Sequence, residues 1–360
     1  MKIFIIGIIL IMLSLMNKKY SPYWGFLFVL LIMGLQSGVN GDYYGYFDYF
    51  NDLKSGSFYP QSDIEFGWAL LNKIFSFTPF PVFLFAISFL QYVILSKFVK
   101  IYIPGPYQFI AAILFFFTFS FMLLQMKAIR QGLAVELCVA AFMYLDNKKL
   151  WATLLLVLLA FSIHNSSLII TPFIILFFCS KKFHWFEKKI IKVNFFYPLI
   201  WTAIFLTIYS LKTTILNKYL MSLSISNAFL RFSGYFEDIQ YQFDISWLIV
   251  FYNALIVFTV TWFYKYATPT MRFFSILSVI AAFFDMLLFG LGSLSRIFLY
   301  ISIFNIVVYP NVAKSIKQKF GSLVYLTYIV ICVAYAFKTS LPWMLETADD
   351  RFGTFRFIFF

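Results

Sequence analysis

Short polar clusters interrupt a very apolar sequence, and the first to consider contains two cations. Lys127 and Arg130 are three residues apart where an apolar run begins, so on a helix they would share one face. The N-terminus of a helix carries partial positive charge and unpaired N–H groups, which disfavours cations there unless an anion is close. We interpret the pair as a binding site for a phosphate at the membrane edge. The alternative is two cations that extend from a helix end towards water.

The second cluster contains His164, in the segment 162–167 (SIHNSS) between two apolar runs. A helix from Asn147 to His164 would be about 27 Å long, close to the thickness of a hydrocarbon core, about 30 Å. We therefore expect His164 at or slightly below the outer membrane surface. A neutral imidazole there could act as a general base or bind a phosphate. A capping or packing role is the alternative.

Two further arginines begin or precede apolar runs. Arg296 ends the segment 290–296 (GLGSLSR) and starts a run, so a cation again opens a predicted helix. The glycines of this segment permit a tight turn or close approach of a ligand. Arg231 lies in a long polar segment near Tyr235. For Arg231, an ordinary loop arginine and a ligand-binding cation are equally good interpretations.

Several carboxylates could take part in proton transfer. Asp42 lies in the segment 41–46 (GDYYGY) and Glu65 in 63–68 (DIEFGW), and either could act as a general base beside a membrane. The mixed polar and apolar residues from Gly67 to Phe77 predict a helix that lies on the interface. Glu136 and Asp285 fall inside apolar runs, where a carboxylate must be paired or hydrated. They could form salt bridges to the arginines or serve a proton or substrate path.

The elements that must position these residues are transmembrane helices. Apolar residues make up 62% of the chain and charged residues 12%, with a mean hydropathy of +0.86, whereas a soluble domain has about 25% charged residues. Runs of near-spanning length predict an all-α polytopic membrane protein with twelve helices, at about 3–16, 22–38, 80–98, 107–125, 128–145, 149–163, 166–180, 193–211, 245–264, 272–290, 297–312 and 321–338. Loops 39–79 and 212–244 and a polar tail at 339–360 complete a single membrane domain.

The distribution of Lys and Arg predicts the orientation. Alternate loops contain most of the basic residues and only two acids, Asp146 and Glu187. The basic residues of these loops are Lys18, Lys19, Lys97, Lys100, Lys148, Lys149, Lys181, Lys182, Lys188, Lys189, Lys192, Lys265, Arg272, Lys314, Lys317 and Lys319. The other loops and both termini are nearly neutral. We therefore place the basic loops in the cytoplasm and both termini on the extracytoplasmic side. This asymmetry accounts for the net charge of +13, so we expect no nucleic-acid partner.

Other classes of site have no support in the sequence. Cys138, Cys179 and Cys332 each lie in an apolar run, without the spacing of a zinc site or a disulfide framework. The sequence contains no glycine-rich phosphate loop and no Ser–His–Asp pattern. The predicted cytoplasmic loops are too short to build a nucleotide pocket.

The polar motifs together resemble the EpsG branch of the Wzy-like polysaccharide polymerases. The resemblance rests on the segments 41–46 (GDYYGY), 65–68 (EFGW), 129–134 (IRQGLA), 162–167 (SIHNSS) and 295–300 (SRIFLY), and it extends over most of residues 35–305. Loop 212–244 and the tail match no pattern of the family. This is expected if they determine the choice of substrate.

The resemblance implies a membrane-embedded glycosyltransferase of the GT-C type in a bacterial inner membrane. Such an enzyme joins undecaprenyl-pyrophosphate-linked repeat units of an O-antigen, capsule or exopolysaccharide on the extracytoplasmic face, within membrane lipid and alongside a flippase and a chain-length regulator of the same pathway. The implied pyrophosphate-binding residues are Arg130, Arg296, Lys127 and Arg231; the implied catalytic residues are His164, Asp42 and Glu65; further substrate contacts are Gln131, Tyr44 and Tyr300. Neither a metal nor a cofactor is expected, because arginines would replace the divalent ion.

Four other functions remain open from the sequence, and one of them is that of a purely structural partner of an export complex. A flippase for lipid-linked oligosaccharides would also have about twelve helices, but with charges deep in a central cavity and internal repeats, which this sequence lacks. A ligase that transfers the polysaccharide to another acceptor would share the chemistry. A membrane acyltransferase would be expected to pair its histidine with an acid in one short motif. The segment 162–167 contains no acid.

Overall fold

The computed structural model describes residues 2–16, 19–37, 41–55, 64–118, 121, 125, 128–186, 196–211, 247–288, 297–345 and 356–357. These residues are helical except for turns and one pair of two-residue strands. They form two compact units. Unit 1 consists of Met1–Phe178 and Leu326–Phe360, and unit 2 of Cys179–Tyr325.

The described helices are α1 (Lys2–Met16), α2 (Ser21–Phe28, continued by a π turn Val29–Met33), α3 (Gly41–Ser55), α4 (Phe66–Phe75), α5 (Phe80–Tyr102), α6 (Gln108–Phe117, after a 3₁₀ turn Gly105–Tyr107), α7 (Ile129–Asp146), α8 (Leu150–Ile163, followed by a 3₁₀ turn Asn165–Ile170), α9 (Thr171–Lys182), α10 (Phe196–Leu211), α11 (Trp247–Phe263, with a 3₁₀ turn Tyr264–Tyr266), α12 (Pro269–Leu288), α13 (Leu299–Ser302) and α14 (Asn305–Leu345). Gly321 interrupts α14 with φ +84°. Strand β1 (Gln36–Ser37) pairs antiparallel with β2 (Arg356–Phe357).

Helix α7 is the centre of unit 1. Almost all of its side chains are buried, as expected of a helix that is enclosed by others. It ends in a reverse turn in which Lys148 has φ +60°. There the Lys149 N–H donates to the Tyr144 carbonyl (2.9 Å) and the Lys148 N–H to the Leu145 carbonyl (2.9 Å), the hydrogen bonds of a Schellman motif. This turn packs α8 antiparallel to α7 and so brings the end of α8 back to the start of α7.

Helix α4 has one buried and one exposed face. Trp68 and Asn72 are buried, whereas Phe66, Leu70 and Ile74 are exposed and four residues apart. An exposed apolar stripe of this kind suits contact with lipid. The helix predicted at Gly67–Phe77 is therefore confirmed, with its observed bounds at Phe66–Phe75.

The structure corrects three boundaries. Part of the predicted loop 39–79 is helix α3, and its six aromatic residues contribute to unit 1. The predicted loop between 312 and 321 is helical, as is the start of the predicted tail, because α14 continues to Leu345. Helix α6 ends at Phe117, before the predicted position 125. Loop 212–244 lies outside the described residues.

Four described helical segments are long and apolar enough to cross a membrane: Phe80–Tyr102, Ile249–Tyr266, Pro269–Leu287 and Leu299–Phe337. These segments are those of an all-α membrane protein. The count of twelve crossings, the GT-C type, the single membrane domain and the extracytoplasmic termini stay predictions.

Candidate functional site

An ion pair joins two predicted site residues of unit 1. Arg130 is the second residue of α7, and Glu65 directly precedes α4 in extended conformation. The Arg130 Nη1 lies 2.7 Å from the Glu65 Oε2, and the two side chains are 24% and 11% exposed. This carboxylate is the anion that makes a cation acceptable in the first turn of a helix.

The same carboxylate binds a third segment of the chain. The Asn165 backbone N–H donates to the Glu65 Oε1 at 3.1 Å. Both carboxylate oxygens of Glu65 therefore have donors. Glu65 thus fastens the start of α4 to the start of α7 and to the turn after α8.

A glycine allows α4 and α8 to cross closely enough for these contacts. A Cβ atom at Gly67 would overlap the side chain of Ser162 and also its carbonyl oxygen. Because one of the overlapping atoms belongs to the backbone, rotation of the serine side chain could not relieve the contact. Gly67 therefore sets the distance between Glu65 and the end of α8.

His164 ends α8 and lies beside the ion pair. The Ser166 N–H donates to the His164 Nδ1 (3.3 Å), and the Ser166 Oγ is 2.7 Å from the same nitrogen. Because a backbone N–H can only donate, Nδ1 is the unprotonated nitrogen and a neutral ring carries its proton on Nε2. In this tautomer, His164 presents a hydrogen-bond donor at Nε2.

Burial keeps this imidazole neutral. Desolvation lowers the pKa of His164 below its ordinary value, the Glu65 carboxylate opposes this change, and the Arg130 guanidinium adds to it. The ordinary pKa of histidine is about 6.5. His164 is therefore uncharged at pH 7, and its donor is the neutral N–H.

Helix α3 contributes two tyrosines close to Arg130. The ring centroid of Tyr46 is 6.0 Å from the Arg130 Cζ, and this ring also meets Trp68 edge-on. Tyr49 is one helical turn further along the same face and is only 5% exposed. Burial raises the pKa of Tyr49, and the charge of Arg130 opposes this rise, so the phenol lies within the field of the guanidinium.

Two buried donors at this point lack an acceptor. Neither the Tyr49 hydroxyl nor the Arg130 Nε has a hydrogen-bond partner among the described residues. A buried donor left without a partner costs about 1–3 kcal/mol, and such groups call for a specific explanation. An oxygen-rich anionic ligand would satisfy both donors.

The structure brings only some of the predicted residues together. Arg130, Glu65 and His164 are in contact or adjacent, and Gln131 is buried next to Arg130. Tyr44 is exposed on α3, and Tyr300 is fully buried in unit 2. The side chain of Asp42, and the whole of Lys127, Arg231 and Arg296, lie outside the described residues.

The buried acid of α7 has a neutral partner. Gln125 Nε2 donates to the Glu136 Oε1 at 2.7 Å, and Glu136 is 1% exposed. Among the described residues, Arg130 pairs with Glu65 and not with Glu136. The site at the start of α7 is thus separate from this buried carboxyl group.

A profile of the EpsG family matches residues 19–342. The chain belongs to the EpsG family. This is a family of Wzy-like polysaccharide polymerases, so the resemblance stated from the motifs is confirmed. No curated protein and no solved structure matches the chain.

Membership in the EpsG family gives the site a chemical context. Glu65, Arg130 and His164 all fall in the matched range, as do Tyr46 and Tyr49. Together with the four apolar segments, the match makes this EpsG-family protein a membrane protein of polysaccharide biosynthesis. A cation, a neutral imidazole and two unsatisfied donors suit the binding of an anionic glycan donor.

Proposed function

We propose that this EpsG-family protein joins undecaprenyl-pyrophosphate-linked repeat units on the extracytoplasmic face of the bacterial inner membrane. A sugar hydroxyl of the incoming unit attacks the anomeric carbon of the growing chain. The bond from that carbon to the pyrophosphate oxygen breaks, and undecaprenyl pyrophosphate leaves with the bonding electrons. The observation that carries the proposal is the partly buried Arg130 with two unsatisfied donors, its own Nε and the Tyr49 hydroxyl.

These donors suit the charge of the leaving group. A hydrogen bond between a guanidinium and a phosphate oxygen is about twice as strong as one between neutral groups. Donors fixed in advance stabilise the charge that develops in the transition state. Lys127, Arg231 and Arg296 are proposed as further cations for the pyrophosphate, and Gln131, Tyr44 and Tyr300 as further substrate contacts. With cations in this role, we expect a chelator of divalent ions to leave the rate unchanged.

The contacts of Glu65 and His164 favour particular roles. Glu65 has donors on both oxygens, so we propose that it positions Arg130. His164 offers an N–H at Nε2, so we propose that it donates to a phosphate or sugar oxygen. A role of His164 as base would require the proton to move to Nδ1. Asp42, in the first turn of α3, is our proposed base for the attacking hydroxyl.

Reconstitution in liposomes with undecaprenyl-pyrophosphate repeat units tests the proposal, with polymer length read on gels. We expect Arg130→Ala to lower the rate about 10²–10³-fold, as for the removal of one donor to a transition-state oxyanion. Lys73→Ala, which removes an exposed cation of the neighbouring helix α4, is the control and should not change the rate.

A charge exchange separates binding from folding. In the double variant Arg130→Glu with Glu65→Arg the ion pair can re-form although the Asn165 N–H loses its acceptor, so we expect thermal stability above that of either single variant but no polymer. Transfer of lipid-linked units across the liposome without any lengthening would show a flippase. Addition of a finished chain to a different acceptor would show a ligase. Either of these results would overturn the polymerase proposal.

A further inference from the structure

Unit 2 contains a pocket of about 430 Å³ that has no part in the proposed reaction. It lies where α11 ends and α12 begins, against the part of α14 before Gly321. Its rim is polar and includes Lys314, Gln318 and Lys319, and its floor includes Phe263 and Val308. Its volume is within the range of small-molecule sites, about 300–1,000 Å³.

The charged side chains of this pocket are all positive. Both charged residues that line it are lysines. The described part of unit 2 contains one carboxylate, Asp285, which is about 21 Å along α12 from Met271 at the pocket wall. No acid in the described part of unit 2 therefore neutralises the pocket.

The two lysines differ in their surroundings. Lys319 donates to the Tyr266 hydroxyl at 3.0 Å, and its ammonium lies over the ring of Trp262. Lys314 is half-buried and makes no hydrogen bond or ion pair with any described residue. An anion in the pocket would therefore not have to displace a protein partner of Lys314, and a charge-assisted hydrogen bond to this ammonium would be stabilising.

The pocket is also amphipathic. Polar and cationic groups line its rim above an apolar floor, so the complementary ligand has an anionic head and a hydrocarbon tail. The loops around it belong to the set that positive charge assigns to the cytoplasm, the side where anionic lipids attract basic residues. We propose that this pocket binds the phosphate headgroup of an anionic membrane phospholipid, with Lys314 and Lys319 on the phosphate and acyl carbons on the floor.

The test compares lipid binding by two matched variants of the full chain. Lys314→Gln removes one of the two cations of the pocket, and Lys317→Gln removes an exposed cation of the same helix that does not line it. Native mass spectrometry with phosphatidylglycerol should show about tenfold weaker binding for Lys314→Gln, as for the loss of one charge-assisted hydrogen bond. Lys317→Gln and Lys314→Arg should bind like the wild type.

Three results would overturn the proposal. Equal loss of binding in Lys314→Gln and Lys317→Gln would show a general attraction of the basic surface. Equal binding of phosphatidylcholine would show that the pocket does not distinguish an anionic headgroup from a zwitterionic one. Protection of the protein against heat by glycerol phosphate as strongly as by phosphatidylglycerol would show a soluble phosphate ligand. A circular-dichroism melting curve for each variant identifies one that fails to fold, and Lys314→Arg then provides the comparison.

Discussion

The cation of the proposed site is held by a carboxylate whose two oxygens both accept a hydrogen bond within unit 1. Glu65 accepts one hydrogen bond from the Arg130 Nη1 and one from the Asn165 backbone N–H. The guanidinium keeps its Nε free of partners among the described residues. The residue that carries the positive charge is therefore fixed through its Nη1, while its buried Nε has no acceptor among the described residues.

Tyr49→Phe separates a binding role from a structural role. Removal of a buried hydroxyl without a partner should leave the stability unchanged or raise it, since the desolvation penalty disappears. The same change should weaken binding of the lipid-linked donor about tenfold, since it removes a hydrogen bond to a charged group. Melting curves and the KM of the reconstituted reaction measure the two effects.

Tyr144→Phe is the control, because Tyr144 is exposed near the other end of α7. A loss of stability in Tyr49→Phe would show that the hydroxyl has a structural partner. The role in binding would then be wrong.

His164 makes the stability depend on pH. Its pKa is lower in the folded protein than its ordinary value of about 6.5, so the unfolded chain binds more protons between these two values. The contribution of His164 to the free energy of unfolding should therefore be fully present above about pH 6.5. It should decrease as the pH falls from there towards the lowered pKa. His164→Gln should remove this part of the pH dependence in melting curves recorded in detergent. An unchanged slope in His164→Gln would mean that His164 is not the titrating group.

At the scale of elements, the crossing of α4 and α8 determines where Glu65 lies. Gly67→Ala should destabilise the protein by about 1–3 kcal/mol, the usual range for overpacking. It should also lower polymerisation, because Glu65 can no longer reach Arg130 and Asn165 together. Melting curves and the liposome assay measure both effects.

Gly45 is the matched control for this change. It lies inside α3 with open space where a Cβ would be, so Gly45→Ala should be neutral or slightly stabilising through helix propensity. Equal effects of the two substitutions would show that the crossing is not tight.

The sequence predicted α7 well but missed α3. Helix α7 follows a long apolar run, and its start at Ile129 agrees with the predicted start at about 128. In α3, Asp42, Asp48 and Asp52 alternate with aromatic residues, so its hydropathy falls below that of a spanning segment. Its helical form depends on ring contacts such as those of Phe50 with Phe83, which the local pattern does not contain. Tyr49 was missed with it, although a three-residue spacing from Tyr46 was visible.

The contacts of Glu65 and His164 could not be derived from the sequence. Residues 65, 130 and 164 are far apart in the chain, and their approach depends on the antiparallel packing of α7 and α8 and on the space at Gly67. The tautomer of His164 depends on a single backbone N–H of the following turn. The spacing and hydropathy of residues along the chain do not predict tertiary contacts of this kind.

At the scale of the whole molecule, the orientation can be tested across one helix. Helix α5 has 23 residues, about 34 Å in length, and is enough for a hydrocarbon core of about 30 Å. Exposed lysines flank it, Lys73 before it and Lys100 near its end. With the three cysteines replaced by alanine, Lys73→Cys should react with an impermeant maleimide on intact spheroplasts, and Lys100→Cys only after permeabilisation. The opposite pattern would reverse the predicted topology.

The two unsatisfied donors, the Arg130 Nε and the Tyr49 hydroxyl, also have a kinetic consequence. A pyrophosphate bound to a growing chain and the undecaprenyl pyrophosphate released from it offer the same phosphate oxygens to these donors. Product inhibition is therefore built into the proposed site, and turnover in the cell would follow the rate at which another enzyme removes the released lipid. Added undecaprenyl pyrophosphate should compete with the donor in liposomes, and less so in Tyr49→Phe. A rate insensitive to added product would show that the donors bind another part of the substrate.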